Sequence, residues 1–202
     1  RQFVQMSTIA VFGSASRISE TTPERPQTYY GSSKLKADKE LVAMNDREFK
    51  AAIIRPPMAY GGGMAPGNML RLIRLVNKHI PLPFGSARNS RDFINVKNLV
   101  EFIHLAVEKE VEGVFYPTDK VPYSTRNVVE EISRQLGVHT INLPSPSIFL
   151  KLIEKVRPDL YQKLWGDVVI DRQLALSAIG YEPRYTLEDG IREMVESFKR
   201  QK

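Results

Sequence analysis

The sequence has no cysteine, which removes a disulfide framework, a thiolate metal site and a cysteine nucleophile together. Its three histidines, His79, His104 and His139, are too scattered for a zinc site, so no metal is expected. No apolar run approaches the ~20 residues of a membrane helix. Arg1-Gln2-Phe3 opens neither a signal peptide nor a mature start, as though the chain begins in mid-protein. Low-complexity runs and internal repeats are also missing. These absences describe a soluble, globular, cytoplasmic protein with no membrane partner.

What is present is a chain of 202 residues with 42% hydrophobic residues, enough core for one domain or one and a half. The formal charge of +6 is spread among acids rather than gathered into basic runs with interleaved aromatics, so no nucleic acid is expected. Such a field suits a small anionic substrate.

Apolar patterning predicts a short buried strand at Phe3-Val4-Gln5-Met6 running on through Ser7 to Gly13. A helix follows from about Thr28 to Asn45, then a strand at Phe49 to Ile54 halted by Arg55-Pro56-Pro57. Strand, helix and strand in that order make a right-handed unit of a parallel sheet. Pro66-Gly67-Asn68 opens a helix, Arg91 to Ile94 is a further strand, and Gly113 to Tyr116 another. Ser124 caps a helix that Gly137 ends, Asp171 caps another, and Thr186 with Asp189 begins the last. A soft boundary follows Tyr60. Residues 1–60 read as one portion and 61–202 as a smaller mixed lobe, some of whose segments return to the first sheet.

Within the first helix, Tyr30-Gly31-Ser32-Ser33-Lys34 sets a phenol and an ammonium one turn apart. A free phenol titrates near pH ~10 and becomes a useful base only when a neighbouring cation stabilises its anion. About half a Tyr-x-x-x-Lys match is expected by chance in a chain of this make-up, and a second, Tyr116 to Lys120, does occur. Pro117 would break a helix there, so only the first pair shares a helical face. That helix continues as Leu35, Ala37, Leu41, Val42 and Met44, read as an apolar stripe.

In order, Ser7-Thr8 before Val11-Phe12-Gly13, Tyr30 to Lys34, Arg55-Pro56-Pro57 before Tyr60-Gly61, Arg91 to Val96, and Gly180-Tyr181-Glu182-Pro183 resemble the extended short-chain dehydrogenase/reductase family. Within it they are most similar to the nucleotide-sugar epimerases. The resemblance implies an α/β fold: the C-terminal part of a Rossmann-type parallel sheet with its helices, plus a smaller substrate-binding lobe. It also implies NAD as cofactor, with NADP possible. The glycine-rich turn that holds the cofactor pyrophosphate in such folds is not among these residues: G-x-x-G-x-x-G does not occur, and Gly61-Gly62-Gly63 does not lead directly into a helix.

By the same resemblance Tyr30 is the acid/base toward a sugar hydroxyl, Lys34 holds the nicotinamide ribose and supports Tyr30, and Thr8 hydrogen-bonds the reacting oxygen. Ser7, one step earlier in an extended chain, faces the other way. Pro56 and Met58 lie where the loop passes nicotinamide and sugar. Arg91 matches the arginine that grips the substrate diphosphate, for which a planar fork is suited. Asn68 matches a donor to the nucleotide phosphates, though an asparagine there also reads as a simple helix cap. Lys163 stands in for an arginine that many relatives place just ahead of Gly166-Asp167, with a less directional grip. Sugar 4,6-dehydratases carry Asp-Glu after the threonine; Ile9-Ala10 follows Thr8 here, without the acid and base for eliminating water.

The implied function, expected of the full-length protein and not of these residues without the glycine-rich turn, is epimerisation of a nucleotide sugar, a UDP-hexose or UDP-N-acetylhexosamine, at C4 through a 4-keto intermediate. A 4-keto-sugar reductase and a non-catalytic cofactor sensor on the same fold are the alternatives. The helix bearing Tyr30 pairs with its symmetry mate in such relatives, which implies a homodimer.

Overall fold

The computed structural model of the protein describes residues 1–63, 67–176 and 178–201. Pro66, read above as part of a helix start, lies outside them. The chain divides into two compact units. The first holds Arg1–Ala59, Asp92–Val121 and Val168–Arg184; the second holds Tyr60–Arg91, Pro122–Asp167 and Tyr185–Lys202.

The first unit is built on a parallel sheet in the order β1 (Gln2–Met6), β3 (Lys50–Ile54), β6 (Gly113–Phe115). Met6 lies opposite Ile54, and Ile54 opposite Phe115. Ala51, Ala52, Ile53 and Ile54 of the central strand are all fully buried, the continuous apolar run expected of a parallel strand covered on both faces. On the edge strand β1, Phe3 is instead 45% exposed, so the strand is not buried throughout. Two short pairings complete the unit: β2 (Arg17–Ile18) runs parallel to β7 (Val169–Ile170), and β4 (Met58–Tyr60) pairs with β5 (Phe93–Asn95).

The first strand ends sooner than its apolar pattern predicts. Thr8 is extended, its hydroxyl accepts from the Ala10 amide, and Ile9–Phe12 close into a 3-10 turn that Gly13 ends at φ 63°. A local side-chain bond has captured the backbone that would otherwise continue the strand. Helix α1 (Tyr29–Ala43) follows, started by Thr28, whose hydroxyl accepts from the Gly31 amide. Its buried positions are Gly31, Leu35 and Asp38, whereas Val42 and Met44, read as part of its apolar stripe, are exposed. An acid occupies a core position on this helix because a buried cation meets it, as described below. Helix α3 (Val96–Glu108) packs Leu99, Phe102 and Ala106 with Ile54, Ile94 and Tyr181. The ring of Tyr181 meets Phe102 edge-on at 5.1 Å.

In the second unit, α2 (Asn68–Asn77), α4 (Thr125–Leu136) and α8 (Leu187–Arg200) pack through strongly one-sided apolar faces. Both α4 and α8 open on reciprocal caps, Ser124 with Asn127 and Thr186 with Asp189. Gly137 ends α4 in the left-handed conformation at φ 72°. The unit also carries α5 (Ser147–Val156) and α6 (Pro158–Leu164), packed on one another. A five-residue helix, α7 (Arg172–Leu176), belongs to the first unit.

Candidate functional site

In the first unit, Lys34 and Thr8 stand where β1 and β3 reach their carboxyl ends, the edge at which open α/β sheets place their ligands, and Tyr30 lies on the same helix as Lys34. The ammonium of Lys34 donates to the carbonyl of Met6 at 2.8 Å, which fastens α1 to the last residue of β1. Two residues on stands Thr8, and the amide of Ile9 then donates to the carbonyl of Pro56 at 3.3 Å. Met58 opens β4 two residues further along that second chain. Gly31 lets the helix approach: a Cβ there would lie 2.7 Å from the Ala10 carbonyl oxygen, so any larger residue must push α1 away from the turn that Thr8 starts.

Tyr30 immediately precedes that close contact. Its side chain is 56% exposed, and among the described residues its phenol meets no hydrogen-bond partner. A hydroxyl with an open approach can receive a reacting group. The Thr8 hydroxyl already accepts from Ala10 and keeps its own proton to donate. Lys34 has spent one of its three donors.

Beneath these groups lies a buried ionic cluster that the sequence reading did not single out. Arg55 is 3% exposed and Asp38 1%. The Arg55 Nε donates to Asp38 Oδ2 at 2.9 Å, its Nη2 lies 2.7 Å from Glu24 Oε1, and its Nη1 donates to the Tyr116 hydroxyl at 3.3 Å. The guanidinium also sits 5.6 Å from the centre of the Phe12 ring. Ser7 donates to the same Asp38 oxygen at 2.7 Å, while Asp38 Oδ1 is buried with no partner. Burial works against the Arg55 charge, but Tyr116, Glu24 and Asp38 together outweigh it and raise its pKa above the usual value. Burial likewise pushes the Tyr116 phenol upward, with Arg55 opposing. The cluster ties α1 to β3 and to the residue beside Thr8. Nothing in the local sequence pairs Asp38 with Arg55, which lies 17 residues further along the chain.

Of the expected substrate residues, Met58 lies in the first unit, whereas Arg91, Asn68 and Lys163 belong to the second. The Nη1 of Arg91 donates to the carbonyls of Gln162 and Gly166, both at 2.7 Å. Burial lowers its pKa from the usual value, with the Asp167 charge opposing. Carbonyls orient a guanidinium without neutralising it. Lys163, exposed in the last turn of α6, falls in sequence between those two carbonyls. Asn68 is exposed and is the first helical residue of α2 rather than its cap; Gly67 holds that position with no side-chain bond. No described hydrogen bond links Asn68 to Arg91 or Lys163.

Residues 1–116 match the family described as NAD dependent epimerase/dehydratase, more than half of the chain. The chain belongs to that family. Among curated members, it is 33% identical over 208 residues to a UDP-glucose 4-epimerase of Vibrio cholerae, covering 98% of this chain and 63% of that protein. The chain thus spans somewhat under two thirds of that relative. Solved structures share the fold. A UDP-glucuronic acid 4-epimerase from Bacillus cereus in complex with NAD superposes with a TM-score of 0.76 at 22% identity, over 98% of this chain and 60% of that one. A dTDP-glucose 4,6-dehydratase from Bacillus anthracis in complex with NAD gives 0.73 at 22% identity, over 100% and 62%. Among the described residues no group of three His, Cys, Asp or Glu is placed to hold a metal ion.

Proposed function

We propose that this family member serves an NAD-dependent epimerase that inverts C4 of a nucleotide sugar, a UDP-hexose or UDP-N-acetylhexosamine, through a 4-keto intermediate. The observation that supports it most directly is the open phenol of Tyr30 on the helix whose Lys34 is bonded to the end of β1, two residues before Thr8. The resemblance to the Vibrio cholerae enzyme supports the same substrate class.

The residues present fit one end of the cofactor. Lys34 retains donors for ribose hydroxyls at the carboxyl ends of two parallel strands, and Pro56 brings backbone to the same edge. When bound, NAD supplies the oxidant that the carbon chemistry at C4 requires and recovers its state when the keto group is reduced again. The side chains do the rest. Tyr30 takes the proton of the C4 hydroxyl and later returns one, Thr8 donates to the same oxygen and fixes its direction, and Lys34 supplies a positive charge one turn away along the helix. Arg91 and Lys163 answer the diphosphate, with Asn68 as a further donor.

Ile9-Ala10 after Thr8 offers no carboxylate for eliminating water, which argues against a dehydratase despite the shared fold. The test is to incubate the protein with UDP-glucose, then UDP-N-acetylglucosamine, with NAD and no reductant, and to follow the anomeric proton signals. Appearance of the C4 epimer supports the reading. NADH consumption with a 4-keto sugar and no epimer from either substrate replaces it with a reductase. Failure of both, with NAD binding retained, leaves a cofactor sensor.

A further inference from the structure

Exposed apolar side chains on a folded surface are ordinarily scattered singly. On α5 they are not. Ile148 is 82% exposed, Leu152 58% and Val156 63%, and Leu160 in the following helix is 40% exposed. The first three are spaced by four residues, which on an α-helix makes one continuous stripe. Leu150 and Ile153, on the other side of α5, are half-buried.

The charges on α5 are also arranged. At about 100° of rotation per residue, Lys155 projects about 60° from Leu152 and Lys151 about 100°, whereas Glu154 projects about 160° away. Lys151, Lys155 and Arg157 are all exposed. The stripe is therefore edged by lysines on one side, with the one described acid of α5 turned to the far side. Four partly exposed side chains present a few hundred square ångström, short of the roughly 800 Å² per partner that a standard protein interface buries. Apolar side chains edged by lysine are the pattern of a helix lying in a headgroup layer, where lysine stems can lie along the apolar region while the ammonium stays at phosphate level.

We propose that α5 is a reversible docking surface for an anionic lipid bilayer, entering the headgroup layer with Ile148, Leu152 and Val156 while Lys151, Lys155 and Arg157 meet lipid phosphates. Among the described residues no helix is long and apolar enough to cross a membrane, so the association is peripheral. It uses none of the residues assigned to catalysis and stands apart from the proposed reaction.

Co-sedimentation with vesicles of phosphatidylcholine alone, and with one quarter phosphatidylglycerol, tests it at low and high salt. Binding is expected only to the anionic vesicles and is weakened by salt. Each lysine lost should weaken the partition roughly fivefold, so Lys151→Glu with Lys155→Glu should abolish it in practice. Leu152→Glu should weaken it about tenfold or more. Ile148→Glu, at the most exposed position of the stripe, serves if Leu152→Glu melts early. Equal binding to both vesicle types, insensitivity to salt, or no binding overturns the proposal. So does a concentration-dependent dimer, seen by light scattering, that Ile148→Glu dissociates: that result gives the face to a second copy of the chain.

Discussion

Arg55 and Arg91 are the same side chain, one in each unit, and they are held in opposite ways. Arg55 is enclosed by Asp38, Glu24 and the Tyr116 hydroxyl, so its charge is answered inside the protein. Arg91 is steered by two backbone carbonyls, which direct the fork without neutralising it, and the Asp167 charge answers it in part. The first arrangement suits scaffolding, and the second suits recognition of an anion. The same division separates Asp38, on the buried face of α1, from Tyr30, which opens on its surface eight residues earlier.

The largest effect should come from the open side. Tyr30→Phe is expected to lower kcat by roughly 10²–10⁴-fold, and its thermal midpoint should match that of the parent, because the phenol has no described partner to lose. A midpoint that falls with activity would make Tyr30 structural and erase the contrast. On the enclosed side, Asp38→Ala leaves Arg55 short of a carboxylate and should cost about 3–5 kcal/mol in denaturant titration. Removing both charges, as Asp38→Leu with Arg55→Met, should recover much of that loss. If the double variant is as unstable as the single, the cluster is not a coupled ion pair.

A smaller effect is expected for Arg91→Lys, which keeps the charge and loses the fork: KM for the nucleotide sugar should rise about tenfold, equivalent to about 1.4 kcal/mol, with kcat little changed. An unchanged KM would mean that Arg91 only secures α6. The smallest effect concerns the cap of α8. Hydrogen bonds from the Thr186 amide and hydroxyl, with Arg192 beside them, hold the Asp189 carboxyl below its usual pKa. A carboxylate depressed in the folded state adds stability above its unfolded pKa of about 3.9 and loses it as pH falls through the lower folded value. Thr186→Ala should therefore cost about 1 kcal/mol near neutrality, and its deficit should shrink below about pH 4. A deficit constant with pH would detach the cap from the carboxylate.

Much of the architecture was legible because it is written in local chemistry. Thr28, Ser124, Asp171 and Thr186 each announce a helix through a side-chain oxygen that takes an orphan amide, and the run from Ala51 to Ile54 announces a strand buried on both faces. Part of what stayed hidden depends on partners distant in sequence, and part on a local bond that competes with the apolar pattern. Asp38 looks like one more surface acid until Arg55 arrives from β3, and the turn after Thr8 looks like strand until a hydroxyl bond of local range overrides the apolar pattern. Tyr30 and Lys34 could be read as neighbours because a helix sets their spacing. Met6 as the anchor of Lys34, and the grip of Arg91 on Gln162 and Gly166, could not.

The first unit is completed only by its last segment. Ile170 seats between Asp92 and Ile18 and has no exposed surface, and Arg172 brings the cation that the buried Asp92 carboxyl meets, together with a bond to Thr118. A ribosome must therefore deliver most of the polypeptide before its opening strands acquire this closure. A stop codon anywhere before residue 168 would leave Asp92 without its counter-charge, so nascent-chain truncations should stay protease-sensitive until β7 and α7 have emerged.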